Sequence, residues 1–384
     1  MKPNPTFAPG DGAGTKTSAG VAAQAPEYVR RIAPYVPGKP IDELAREYGL
    51  AEASIIKLAS NENPRGPSPR VRAAVATAAA DITRYPDGNG FALKTALTAQ
   101  LGVAREQIVL GNGSNDVLEL AAQAFLRPGD HAVYAQHAFA VYPLAVQARG
   151  ATGIEVPARA YGHDLDAMRA AITPRTRVVF IANPNNPTGT WLPSAEVKAF
   201  LGAVPRDVVV LLDEAYDEYL EAAQRSHSVT WLGEHANLIV SRTFSKAYGL
   251  AGLRIGYGLM DAAVAALLNA VRQPFNVNSL AQAAALAALA DVEYVSESAA
   301  LNRAGLRQLT AALEAMGVAY VPSHGNFLLI AVGDATAVYE RLLRQGVIVR
   351  PVANYGLPQH LRVTVGLEAE NQRFLSALRS ALGR

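Results

Sequence analysis

The chain contains no cysteine. Disulfides, thiolate nucleophiles and cysteine-based metal sites are therefore excluded. Its seven histidines are scattered, without an H-E-x-x-H or similar spacing, so no zinc site is expected. Charge is sparse: 18% of residues are Asp, Glu, Lys or Arg, and the formal net charge is +2. Neither nucleic acid nor an anionic membrane surface finds an electrostatic hold there. No run of about 18 apolar residues occurs, so no membrane-spanning helix is expected.

What is present is apolar bulk. Half of the 384 residues are hydrophobic, enough to bury a core, and the length fits two domains. Residues 1–25 are rich in Gly, Pro, Thr, Ser and Ala. They lack the apolar centre of a secretory signal, so a flexible tail and a cytoplasmic protein are expected. Gly10 to Thr17 looks like a phosphate loop, but Thr15 stands where the Walker pattern needs glycine before Lys16. No strand leads into it, and no nucleotide site is expected there.

Beyond the tail, Tyr28 to Pro40 is too proline-rich for one helix. Ile41 to Tyr48 reads as a short helix with Asp42 and Glu43 in its first turn. Ile55 to Ala59 reads as a strand, and Ser68 to Ala80 as a helix opened by Pro69. From about residue 90 to 275, helical patterns alternate with short apolar runs. These are Ile108–Leu110, His131–Tyr134, Arg177–Ala182, Asp207–Leu212 and Leu238–Val240. Near-continuous apolar strands between helices indicate a parallel sheet covered on both faces. The last hundred or so residues mix a long helix from about Ala281 with strands at Val347–Val349 and Leu361–Val365. The fold class expected is α/β: a large domain with a mostly parallel sheet flanked by helices, plus a smaller α+β domain. The expected division is a tail (1–25), an N-terminal arm contributing to the small domain (26–59), a large domain (60–275) and a small domain (276–384).

Four polar segments fall at strand ends, the edge where open α/β sheets bind ligands. Gly111 to Asp116 precedes a helical run from Val117 to Phe125; its glycines and free helix N–H groups suit a phosphate, or Ser114 or Asn115 simply caps a helix. Asn183-Pro-Asn-Asn186-Pro187-Thr-Gly189 is a rigid turn, in which Asn186 can donate to a ligand oxygen. Asp213-Glu214-Ala-Tyr216 puts an acid at the mouth of a buried strand, to sit near a metal, to face a cationic ring nitrogen or to form a structural ion pair. Ser241 to Tyr257 places Lys246 in a Gly/Ala-rich segment after a strand. Partial burial there lowers a lysine pKa and exposes a neutral amine, the nucleophile that forms Schiff bases.

In combination these segments resemble the fold-type-I pyridoxal-phosphate (PLP) aminotransferases of class II. The resemblance rests on Asn-Pro-x-Asn-Pro-Thr-Gly, Asp-x-Ala-Tyr, and Ser245-Lys246 followed eight residues later by Arg254. It runs from about Tyr28 to the C-terminus. It implies that Lys246 carries pyridoxal 5'-phosphate as a Schiff base and moves the substrate proton. Asp213 would keep the pyridine nitrogen protonated, and Asn186 and Tyr216 would bond the ring oxygen. Gly113, Ser114, Asn115, Thr243, Ser245 and Arg254 would hold the phosphate end, and Phe139 would stack on the ring. Many members have Tyr at the position of Phe139. Tyr85, in Arg84-Tyr85-Pro86-Asp87, looks like the tyrosine that reaches the neighbouring subunit's cofactor. A homodimer with shared active sites is thereby implied.

Within the family, the chain looks most like the branch that acts on histidinol phosphate. Ala33-Pro34-Tyr35-x-Pro-Gly-Lys39-Pro40, Leu58 to Pro64, Gly346 to Pro351 and Leu361 to Gly366 carry that similarity. Tyr35, Arg350 and Arg362 match the residues that grip its substrate phosphate, with Arg362 also able to take a carboxylate. The implied reaction transfers the amino group to 2-oxoglutarate, in histidine biosynthesis. An aromatic amino-acid aminotransferase and a PLP decarboxylase of the threonine-phosphate type remain as alternatives.

Overall fold

The computed structural model describes residues 20–383. The Gly10–Thr17 stretch and most of the expected tail lie outside the described residues. Helix α1 (Ile41–Tyr48) has the expected bounds and ends at Gly49, whose φ of 68° is left-handed. Strand β1 (Ile56–Lys57) is shorter than expected. Helix α2 (Pro69–Ala78) starts with Pro69, and the Ser68 hydroxyl accepts from the Val71 N–H. That cap satisfies one of the free donors of the first turn.

Seven strands build the main sheet: β2 (Ile108–Gly111), β3 (His131–Ala135), β4 (Thr152–Val156), β5 (Thr176–Ala182), β6 (Val209–Asp213), β7 (Leu238–Thr243) and β8 (Gly256–Met260). Their order is β2-β8-β7-β6-β5-β3-β4. Only β8 runs against the rest. Sequence reading missed β4 and β8. β4 lies at the sheet edge and is largely exposed, so it lacks an apolar run. β8 is rich in glycine, which weakens its strand pattern.

β6 shows why the central strands read as unbroken apolar runs. Val210 and Leu212 enter one hydrophobic cluster, while Val209 and Leu211 enter the other. Both faces are covered, so alternation disappears. Helix α3 (Ser114–Phe125) follows β2 directly, and α4 (Val141–Gln147) follows β3.

Helix α5 (Ser279–Leu289) packs on α2, and its Ala281, Ala284, Ala285, Ala288 and Leu289 join the larger core. After it, α6 (Val292–Ala315) leads to β9 (Tyr320–Val321), β10 (Phe327–Ala331), β11 (Val347–Ile348), β12 (Arg350–Pro351) and β13 (His360–Thr364). Four of these form a sheet in the order β12-β13-β10-β9, and β11 pairs with β1 of the arm. Leu58 lies in this second core with Phe374 and Leu378, so the arm is built into the smaller body. No helix among the described residues is long and apolar enough to cross a membrane.

Candidate active site

The carboxyl ends of β2, β5, β6 and β7 open on one cleft. Its walls include Ser114, Asn115, Phe139, Asn186, Asp213, Tyr216, Thr243, Ser245, Lys246 and Arg254 from the larger body. Tyr35 comes from the arm, and Arg350 and Arg362 from the smaller sheet. The topology thus gathers residues spread over more than three hundred positions. Tyr85 is not among them: it is 84% exposed and stacks on Phe275 with ring centres 4.8 Å apart.

Asp213 is the last residue of β6, buried and paired in register with Ser241 of β7. Tyr142 of α4 donates its hydroxyl to Asp213 Oδ2 at 2.9 Å. The other oxygen, Oδ1, is buried without a hydrogen-bond partner among the described residues. Burial raises the Asp213 pKa to about 6, against the lowering effect of the Tyr142 hydrogen bond. The structural ion pair considered from the sequence belongs instead to its neighbour. Glu214 Oε2 receives Arg242 Nε at 3.0 Å and Nη2 at 2.8 Å. Asp213 is left as a buried acid aimed at the cleft, which is costly unless a cation joins it.

Lys246 lies three residues beyond β7. Its Nζ donates to the Ser60 carbonyl at 3.2 Å and sits 5.8 Å from the centre of the Tyr216 ring. Burial, helped by the charge of Arg362, lowers its pKa to about 8. A sizeable neutral fraction near pH 7 makes this amine nucleophilic.

The loop after β5 divides its asparagines between two tasks. Asn183 bonds both ways with Leu192, and Asn185 donates to Thr188; these hold the turn. Asn186 faces the cleft, where its Oδ1 accepts from Arg362 Nη1 at 2.5 Å. Its amide N–H groups are therefore free to donate to a ligand. At the other end, Gly113 has φ of 83°, and a Cβ there would lie 2.3 Å from Arg254 Nη2. Glycine lets the guanidinium lie against the start of α3. Arg254 Nη1 also donates to Ser245 Oγ at 3.3 Å. A helix start, two hydroxyls and an arginine form an anion seat.

Arg350 and Arg362 are buried at 7% and 6% exposure. Arg350 Nη2 donates to the Val36 carbonyl at 2.7 Å, and its guanidinium lies 5.4 Å from the Tyr35 ring centre. Arg362 Nη2 donates to the Ala59 carbonyl at 2.6 Å, while its Nε has no partner.

Two contributors escaped sequence reading. Tyr142 lies in the first turn of α4, and its bond to Asp213 joins residues 71 positions apart, which no local pattern in the sequence signals. Asn61 donates to the Tyr216 hydroxyl at 2.9 Å, yet it lies in a loop with no periodic signal.

The set fits pyridoxal 5'-phosphate. The orphaned Asp213 oxygen suits a protonated ring nitrogen, the Lys246 amine suits the aldehyde carbon, and the Arg254 seat suits the phosphate. Among the described residues, no group of three or more His, Cys, Asp or Glu could hold a metal ion.

Known proteins give the same grouping. Histidinol-phosphate aminotransferase 2 of Ralstonia nicotianae is 61% identical over 363 residues, which is 94% of this chain and 97% of that protein. The histidinol-phosphate aminotransferase of Methylobacillus flagellatus is also 61% identical, over 93% and 97% of the two chains. The crystal structure of histidinol-phosphate aminotransferase from Sinorhizobium meliloti, in complex with pyridoxal-5'-phosphate, has a TM-score of 0.87 at 30% identity. It covers 94% of this chain and 98% of its own. Aspartate aminotransferase of Thermus thermophilus shares the fold, with a TM-score of 0.80 at 24% identity, over 93% and 99% of the two chains. The family model for aminotransferase class I and II matches residues 53–378, a span that contains every strand end converging on Lys246. The chain belongs to the class I and II aminotransferases.

Proposed function

We propose that this enzyme transfers the amino group of histidinol phosphate to 2-oxoglutarate, giving imidazole-acetol phosphate and glutamate in histidine biosynthesis. One observation carries the reading: two buried arginines without acidic partners among the described residues share a cleft with Lys246 and Asp213. A donor that is both an amine and a phosphate answers both halves of that cleft.

When bound, pyridoxal phosphate supplies an aldehyde that takes up amino groups and a cationic ring that delocalises the electrons left at Cα. The chain's own residues do the rest. Asp213 Oδ1 would keep the ring nitrogen charged. Asn186 and Tyr216 would donate to the ring oxygen, Phe139 would pack on the ring, and Ser114, Asn115, Thr243, Ser245 and Arg254 with the Gly113 backbone would hold the phosphate. Lys246, with its lowered pKa, is the base that removes the substrate Cα proton. Arg350 and Arg362 grip the substrate phosphate with Tyr35 beside them, and Arg362 takes a carboxylate of 2-oxoglutarate in the second half-reaction. One site then serves both substrates in turn, which gives ping-pong kinetics.

The assembly proposed is a cytoplasmic homodimer with shared active sites. Tyr85 and Phe275 are exposed and stack on each other, an aromatic pair that a second copy would cover, bringing Tyr85 to the neighbouring cleft. The arm spans residues 26–59, and the large domain begins at residue 60. The packing of α5 on the larger core supports a division after that helix rather than at 275.

The test is a donor panel with 2-oxoglutarate. Histidinol phosphate should exceed phenylalanine and tyrosine in kcat/KM by at least tenfold. Preference for the aromatic donors would overturn the substrate assignment. Release of carbon dioxide without any need for 2-oxoglutarate would replace the reaction class.

A further inference from the structure

Asn61 is 1% exposed, has a left-handed backbone with φ of 54°, and engages all four of its polar groups. Its backbone N–H donates to Thr364 Oγ1 at 2.9 Å. The Thr364 hydroxyl donates back to Asn61 Oδ1 at 3.1 Å. Its Nδ2 donates to Tyr216 Oη at 2.9 Å, and its carbonyl accepts from Asn326 Nδ2 at 3.0 Å. Thr364 lies on β13, two residues beyond Arg362, and Tyr216 lies three residues beyond Asp213.

The direction of these bonds matters. An amide nitrogen can only donate, so Tyr216 Oη accepts in this pair. Burial raises the Tyr216 pKa to about 12, so the phenol keeps its one proton. Tyr216 Oη makes no other hydrogen bond among the described residues, and the side chain lines the cleft. Its proton is therefore available to an acceptor there. With the Asn61 amide turned over, Oδ1 would take that proton and the cleft would lose a donor. Thr364 opposes the turn: its hydroxyl receives the Asn61 N–H, and its own proton goes to Oδ1.

We propose that Asn61, held by Thr364, is a positioning residue that sets Tyr216 as a hydrogen-bond donor to the ring oxygen of PLP. The inference rests on the reading above that Tyr216 meets that oxygen.

The test uses the apoprotein and measures its dissociation constant for PLP by fluorescence titration. Variants are Asn61→Asp, Tyr216→Phe and the double substitution. Aspartate tolerates the left-handed backbone, keeps the acceptor toward Thr364, and offers Tyr216 an acceptor where a donor stood. Each single change should weaken PLP about tenfold, the scale of a hydrogen bond to a charged group. The double variant should lose much less than the product of the two, because both act on one proton. In both single variants the pH midpoint of the visible band of the PLP-loaded protein should move up. Thr364→Val carries no new charge and serves if Asn61→Asp fails to fold. It should weaken PLP in the same direction and add little to Tyr216→Phe. Losses that multiply, or wild-type PLP affinity in Asn61→Asp beside a weakened Tyr216→Phe, would overturn the role of Asn61 alone. Unchanged affinity in Tyr216→Phe would instead overturn the assignment of Tyr216.

Discussion

Arg350 and Arg362 stand directly opposite one another across the antiparallel pair β12–β13, and neither forms an ion pair with a carboxylate among the described residues. Like charges in that relation repel, and burial adds a desolvation cost. Backbone carbonyls of Val36 and Ala59 offset part of it. A bound dianion would offset more, which is the phosphate-receptor role proposed for the pair.

Arg350→Gln should therefore raise the KM for histidinol phosphate by about 10- to 100-fold, the loss of one charge-assisted contact of about 1.5–3 kcal/mol. The KM for phenylalanine, which lacks a phosphate, should change by less than about threefold. Equal losses for both donors in steady-state assays would count against the phosphate role.

Lys246→Met should lower turnover by at least about a thousandfold, with loss of the visible absorbance of the PLP-loaded protein. In the apoprotein the same change should stabilise. The folded-state pKa of about 8 lies below the ordinary lysine value, so the folded chain resists protonation that the unfolded chain accepts. That penalty is full below pH 8 and fades as pH rises toward the unfolded value. With water reaching the cleft, the gain at pH 7 should be roughly 1–2 kcal/mol. Chemical denaturation of both apoproteins at pH 7 and pH 10 reads it.

Asp213→Asn should flatten the acid side of apoprotein stability. The carboxyl pKa is raised to about 6, so the folded state binds the proton more tightly than the unfolded state. Its stabilising contribution is present below pH 4 and is lost as pH rises through 6, by an amount on the order of 3 kcal/mol. The difference between wild-type and variant apoproteins in urea melts from pH 4 to pH 7 should show that slope. Activity should fall by at least about a hundredfold, because a neutral amide does not hold the ring nitrogen charged.

Mixing two inactive or weakened forms tests the proposed sharing of sites between subunits. Lys246→Met and Tyr85→Ala homodimers should each be impaired. Subunit exchange between them creates dimers with one site holding both native residues, so activity should rise above the average of the parents. No rise, with exchange confirmed by mass, would remove Tyr85 from the neighbouring site.

The sequence by itself determined the covered parallel sheet, since strands buried on both faces must be apolar throughout. It also displayed Lys246, Asp213 and Asn186, because strand ends in such a sheet are where polar motifs stand out against apolar runs. It could not show which acid makes the ion pair: Asp213 and Glu214 are adjacent, and only the pleat of β6 and the position of Arg242 sent one to the cleft and the other to the arginine. Tyr142 and Asn61 were invisible for the same reason. Their roles depend on single hydrogen bonds to Asp213 and Tyr216, residues 71 and 155 positions away. Such contacts are made by packing, which has no periodicity along the chain. The opposed arginines were readable as residues, but their isolation from carboxylates was decided only when β12 and β13 paired and closed over the cleft.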